Sequence, residues 1–351
     1  MSSHAGNELD VATEPGRIWR RVAALAVFAG LAVLAVWTLP GIEEVRDRFR
    51  AAEPGWMVAA AVCSLLSMFG FVRALWAAFE RLLPWRRAVI LGFAEQAANV
   101  LLPVGGVGGP ALGALVMRRA GVPAWFADER HAVLFLSTSF VGFVALFAAG
   151  ILLAVGVLPG DVSLAAALIP AVVSALILAG ATAFALSETP PASVRGRFRS
   201  TLWKVRVFVH NGARATVELL RHGDRLLIAG AVTYYAADVA ALACSFQAFG
   251  GGATPLGVFV LAYTLGHAGA LLPTPGGIGG TEGGLIGMFV AFGTPLSLAT
   301  AAVLGYRVFQ LGLPAILGGI CLLRVRHYLA SDFSPDAVAA HFATVERAGR
   351  A

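Results

Sequence analysis

The amino-acid sequence predicts an all-α polytopic membrane protein, with about six spanning helices plus two Gly/Pro-broken re-entrant hairpins in inverted repeats. Composition is the first reason. The chain of 351 residues is 58% hydrophobic and only 13% charged, with a mean hydropathy of +0.79, whereas soluble domains carry nearer a quarter charged residues. The second reason is a set of apolar runs long enough to cross the roughly 30 Å hydrocarbon core. The third is a motif that occurs once in each half of the chain. The first copy reads Asn99-Val-Leu-Leu-Pro-Val-Gly-Gly-Val-Gly-Gly109, and the second Ala270-Leu-Leu-Pro-Thr-Pro-Gly-Gly-Ile-Gly-Gly280, followed by Thr281-Glu282. Gly/Pro interruptions of hydrophobic segments in corresponding positions of two halves point to a transporter's central site.

A polar N-terminal tail, 1–21, is expected in the cytoplasm, because Arg17, Arg20 and Arg21 precede the first apolar run. A membrane domain, 22–325, follows. Its expected spans are 22–39, 56–79, 131–155, 163–187, 226–249 and 297–323. Two more apolar stretches, 88–118 and 256–294, carry the Gly/Pro motifs. The piece from Pro110 to Met117 is too short to span at about 1.5 Å per residue, so each stretch reads as helix, break, helix. Repeat one covers 56–155 and repeat two 226–323, with 22–39 and 163–187 peripheral.

Charge sets the orientation. Arg81, Arg86 and Arg87 follow the second span, the linker 188–225 is rich in arginine, and Arg324 and Arg326 follow the last span. The expected outer loops 156–162 and 250–255 carry no Lys or Arg. This bias places both termini, including the tail 326–351, in the cytoplasm. Loop 40–54 is the exception, since Arg46, Arg48 and Arg50 are balanced there by acids. The linker reads as a basic amphipathic helix against anionic lipid: Phe198, Leu202, Val205, Val209 and Leu220 share one face, while Arg199, Arg206, Arg214 and Arg221 lie largely opposite. A plain basic linker is the other reading. Ser334-Pro335-Asp336 opens a short C-terminal helix.

Ionisable residues inside apolar segments are rare and suggest function. The set is Arg73, Glu95, His131, Asp238, His267, Glu282 and Arg307. Glu282 opens the second half-helix of hairpin two. It reads either as a ligand for a proton or a cationic headgroup, or as a first-turn acid complementing the helix dipole behind a Thr281 N-cap. Arg307 suits bidentate phosphate contact or an internal ion pair with Glu282 or Asp238. Asp238 must face protein or water. Glu95 and Asn99 are four residues apart on one helix face, and Asn99 is placed to satisfy backbone groups freed at Pro103. Arg73 lies nearer its span's cytoplasmic end, where it can snorkel. Gly106, Gly108, Gly276, Gly277 and Gly279 allow close backbone approach where a half-helix start can hold phosphate, and Pro103, Pro273 and Pro275 mark the breaks. Tight packing of the hairpins through small residues is the competing role.

Cys63, Cys244 and Cys321 have no paired spacing, so neither a disulfide nor a cysteine metal site is expected. A single lysine, Lys204, leaves no P-loop, and no cofactor, nucleic-acid partner, catalytic nucleophile or metal set is expected. The chain therefore reads as a non-enzyme.

The motifs resemble the flippase-like membrane domain of the lysylphosphatidylglycerol synthase family. The likeness is strongest in Leu272 to Glu282, with Gly293, Tyr306 and Arg307 beyond. It is weaker in Asn99 to Pro103 and in Glu129-Arg130. The resemblance implies a bacterial cytoplasmic membrane location and movement of a phospholipid or lipid-linked headgroup between leaflets. It gives weight to Pro273, Pro275, Gly276, Gly277, Glu282 and Arg307. Departures fall in the first half: Pro110-Ala111 and Gly113-Ala114 stand where the family often has an acid and an arginine, and Val133 where an acid is common. Two other functions fit the same residues. One is a secondary transporter of a small amphipathic solute. The other is a non-transporting partner of an envelope-lipid enzyme. The protein partners left open are such an enzyme or a second copy of this chain as a homo-oligomer.

Overall fold

A computed structural model describes residues 43–102, 108–119, 121–160, 162–187, 206–207, 210–218, 224–252, 254–271 and 277–331, with positions 20, 23, 27 and 30. Every regular element among these residues is helical. The helices are α1 (Glu43–Arg50), α2 (Pro54–Ala78), α3 (Trp85–Leu101), α4 (Gly108–Arg119), α5 (Ala124–Ala154), α6 (Leu164–Leu186), α7 (Arg225–Ala248), α8 (Leu256–Gly266), α9 (Gly280–Ala291), α10 (Leu296–Leu313) and α11 (Gly319–Ser331). A 3₁₀ turn, His267–Leu271, extends α8, and a π turn, Pro314–Gly318, joins α10 to α11.

Among the described residues, five helical segments are long and apolar enough to cross a membrane: α2, α5, α6, α7, and α10 with α11 as Leu296–Val325. This chain is an integral membrane protein. The expected span 22–39 and the C-terminal helix from Ser334 lie outside the described residues. Two boundaries differ from the sequence reading. Helix α5 starts at Ala124 rather than 131, because Pro123 supplies its N-terminal boundary and the polar first turns are held by ion pairs, Asp128 to Arg118 at 2.6 Å and Arg130 to Glu80 at 2.6 Å. The last span is interrupted at Pro314, which has no N–H to donate to the preceding turn.

The two units run in opposite directions. Helices α2 and α7 form the broadest pairing. They are antiparallel, since Glu53 N–H donates to Ala248 O (2.9 Å) at one end and Arg81 meets Asp224 (3.5 Å) at the other. The second end also gathers Arg118, Asp128, Arg130 and Glu80, so it is rich in arginine. Helix α3 begins beside the end of α2, where Trp76 and Trp85 stack edge to face, and the last turn of α4 carries Arg118. Hairpin α3–α4 thus starts and finishes at the arginine-rich end. Hairpin α8–α9 starts and finishes at the opposite end, because α8 follows the C-terminus of α7 and α9 leads into Ser297, which Arg48 of α1 reaches at 3.2 Å.

Packing is exchanged between the units. Hairpin α3–α4 packs on the π turn and α11 of the second unit, and hairpin α8–α9 packs on α5 of the first. Arg48 also donates to Phe249 O at 2.9 Å, just beyond the C-terminus of α7. That bond uses one of the loop 40–54 arginines in a helix cap, which explains a cation there against the charge bias. Helix α6 packs chiefly on α5 and exposes Leu164, Ile169, Val172 and Leu176, in keeping with a peripheral span.

Most of linker 188–225 lies outside the described residues. Residues 210–218 are helical, with Gly212, Ala213 and Thr216 buried and Arg214 exposed. A Cβ at Gly212 would meet Ala132 of α5 at 2.5 Å, and His210 hydrogen-bonds Ser187 O at 2.9 Å. This part of the linker therefore docks on the helical bundle.

Candidate functional site

The two hairpins and the α2–α7 pair surround a polar cavity of about 260 Å³. Ser64 and Ser67 of α2, Gln96 and Asn99 of α3, Asp238 of α7, His267, Thr281 and Arg307 are among its lining residues. Ser64 and Ser67 lie near the middle of the 25-residue α2, and Asp238 near the middle of the 24-residue α7. The cavity therefore sits about halfway along the spans, where transporter sites form.

Arg307 is the cation of the cavity wall, with only 5% of its side chain exposed. Its Nε donates to Glu282 Oε1 at 2.6 Å, and its Nη1 donates to Gln310 Oε1. The other Glu282 oxygen accepts the Gly279 N–H at 2.7 Å. Gly279, at φ 87°, is the N-cap of α9 in place of the expected Thr281, and Glu282 at the third helical position closes half of a capping box. Thr281 instead lines the cavity and is buried. Glu282 thus caps its helix and neutralises Arg307 together. It lies beside the cavity, behind the guanidinium.

Asp238 is buried between two phenols. Tyr263 and Tyr306 donate to its Oδ2 at 2.5 and 2.8 Å, so three segments of repeat two converge on one carboxylate oxygen. Two other polar groups of the cavity lining have no partner among the described residues: the buried Ser64 hydroxyl and His267 Nε2. Groups of this kind in a polar cavity are sites for water or a polar ligand.

Glu95 does not reach the cavity. It is fully buried and its Oε1 lies 3.1 Å from His131 Nε2 of α5, while His131 Nδ1 meets Ala127 O at 2.8 Å. Gly113 makes room for this pair, since a Cβ there would strike both side chains. The structure thus places Glu95, read in the sequence as a substrate ligand, against His131 and away from the cavity. The helix places Glu95 toward α5 and its neighbour Gln96 toward the cavity. Replacing His131 with Ala strands a buried carboxyl and is expected to cost about 3–5 kcal/mol, read as a lower unfolding midpoint in detergent.

Of the other expected site residues, Asn99, Asp238, Gly277 and Arg307 line the cavity. Asn99 also accepts the Gly109 N–H at 2.7 Å, satisfying the start of α4 as expected for the broken segment. Gly108 packs against Ala98 O, where a Cβ would sit at 2.7 Å. Pro103, Gly106, Pro273, Pro275 and Gly276 lie outside the described residues. Sequence reasoning missed Ser64, Ser67, Gln96, Gln310 and Tyr263. Their only signal was that they are neutral polar side chains in apolar helices.

Helices of two opposed units packed around a central polar cavity define a polytopic membrane protein. The family model for the lysylphosphatidylglycerol synthase TM region matches residues 21–318, and the chain belongs to that family. No curated protein matches it.

Proposed function

We propose that this chain moves a phospholipid or lipid-linked headgroup between the leaflets of a bacterial cytoplasmic membrane. In this reading the two hairpins are re-entrant, both termini face the cytoplasm, and the chain is not an enzyme. The observation that carries it is the shared cavity. Groups from both units line one polar space at mid-depth, with a buried guanidinium on its wall and unpartnered polar groups beside it. A buried guanidinium favours phosphate. Asp238 on the cavity lining provides the opposite sign for a cationic headgroup. The volume suits a headgroup whose acyl chains remain outside. It also suits a small amphipathic solute, which is the second reading.

The test is leaflet exchange in proteoliposomes with fluorescent phosphatidylglycerol and a fluorescent zwitterionic lipid. Ser64→Leu fills the cavity from a side chain with no partner among the described residues, and it is expected to slow exchange at least about tenfold, a barrier change near 1.4 kcal/mol. Exchange no faster than in protein-free vesicles, with correctly folded protein, would overturn the lipid reading. Uptake of a soluble amphipathic amine or phosphate ester by the same vesicles would then favour the solute.

A further inference from the structure

Arg73 lies away from the central cavity. Along α2, the residues Val58, Val62, Leu66 and Phe69 are 64, 57, 51 and 43% exposed. Their spacing of three and four residues makes one stripe, the face that α2 turns to lipid. Arg73 continues that stripe and is also exposed. A permanent charge on a lipid-facing stripe is costly unless it reaches a headgroup or a counter-ion, and no described residue pairs with Arg73.

The surroundings of Arg73 are built as a groove. Leu66, Phe69, Gly70, Arg73 and Trp76 of α2 form its floor, with Trp85 at the start of α3 and Thr233 of α7 as its walls. Trp76 is held rigidly, because its Nε1 donates to Leu83 O at 2.7 Å and its ring stacks on Trp85. The next cation along, Arg81, is occupied with Asp224 at 3.5 Å and lies over the Trp76 ring. Arg73 lies five residues before the end of α2, about 8 Å along the axis. This is just beneath the depth where Trp residues mark the interface.

We propose that this groove is a phospholipid-binding site in the leaflet at the arginine-rich end. Arg73 pairs with the lipid phosphate, Trp76 and Trp85 flank the glycerol region, and an acyl chain lies along Leu66 and Phe69. The site is separate from the central cavity. Ser64, Ser67 and Met68 line the cavity, and Leu66, Phe69 and Arg73 project from the opposite face of α2 at 100° per residue. The proposal does not rest on the translocation reading. A lipid held there serves as a fixed neighbour of the α2–α7 pair.

The experiment is native mass spectrometry of the full chain in detergent, titrated with dioleoyl-phosphatidylglycerol. Arg73→Gln is expected to weaken retention of the tightest-bound lipid about tenfold, the loss of one charge-assisted pair, and Arg73→Lys to fall between. Glycerol 1-phosphate is expected not to displace the lipid. Equal retention by Arg73→Gln and wild type, at matching unfolding midpoints, means that Arg73 only snorkels and overturns the proposal. Displacement by glycerol 1-phosphate makes the site one for free phosphate and overturns it as well. Because the titration involves no leaflet movement, a chain that exchanges no lipid still reports this site.

Discussion

Arg307→Met is expected to abolish leaflet exchange and to lower stability by about 3–5 kcal/mol, whereas the double variant Glu282→Gln/Arg307→Met recovers most of the stability and none of the exchange. The single variant leaves Glu282 charged in a site where only 15% of its side chain is exposed. The carboxylate cannot move to water without releasing the Gly279 N–H, which it holds at 2.7 Å, so its desolvation is no longer offset. In the double variant the amide oxygen of Gln still accepts from Gly279, the charge has gone, and Met fills much of the arginine's volume. A buried ion pair replaced as a unit is often close to neutral, while one broken by half is not.

The cycle separates two roles that the geometry alone leaves joined. A guanidinium that only braces α9 against α10 should let exchange return together with stability. One that also holds phosphate leaves the double variant folded and inactive. Thermal unfolding in detergent and exchange in proteoliposomes, measured on wild type, Glu282→Gln, Arg307→Met and the double variant, read the two separately. Return of exchange in the double variant would sink the phosphate role of Arg307.

The sequence carried the central feature of the fold because Pro and Gly leave a backbone signature that no packing can erase. Leu-Leu-Pro followed by paired glycines appears once in each half, and the structure has one helix ending before each motif and another starting after it. Asp238, Glu282 and Arg307 were legible for a related reason, since a charge in an apolar run must have a partner or a purpose. Rotation about each helix axis was not legible. Glu95 and Gln96 are neighbours, and only the rotation of α3 in its packing decides that Glu95 meets His131 across Gly113 of α4 while Gln96 faces the cavity. Ser64 and Ser67 were hidden in the same way, because their direction is set by where α2 crosses α7. The start of α5 was misplaced because its first two turns are polar, and hydropathy does not register Arg130 folding onto Glu80.

That crossing carries the second large effect. Gly70→Val is expected to prevent assembly of the folded protein. A Cβ at Gly70 would land on the backbone nitrogen of Tyr234 and within 2.9 Å of the Thr233 carbonyl carbon. A Cβ at Gly230 would lie 2.5 Å from the Ala74 nitrogen and 3.0 Å from Gly70 O. The two glycines therefore let antiparallel helices approach backbone to backbone, the packing that small residues allow in membranes. Neighbouring backbone cannot swing aside as a long side chain can. Gly70→Ala alone should cost about 1–3 kcal/mol, and adding Gly230→Ala should give a non-additive loss, since both press on one crossing. Gly180→Ala in α6 and Gly287→Ala in α9 are the controls. A Cβ at either meets nothing within 4 Å, so each should be neutral or stabilising by about 0.5–1 kcal/mol. Size-exclusion profiles and unfolding midpoints of these variants decide the matter. If Gly70→Ala melts with the controls, the α2–α7 approach is loose. The cavity that Ser64, Ser67 and Asp238 line would then lack the rigid wall on which a defined site depends.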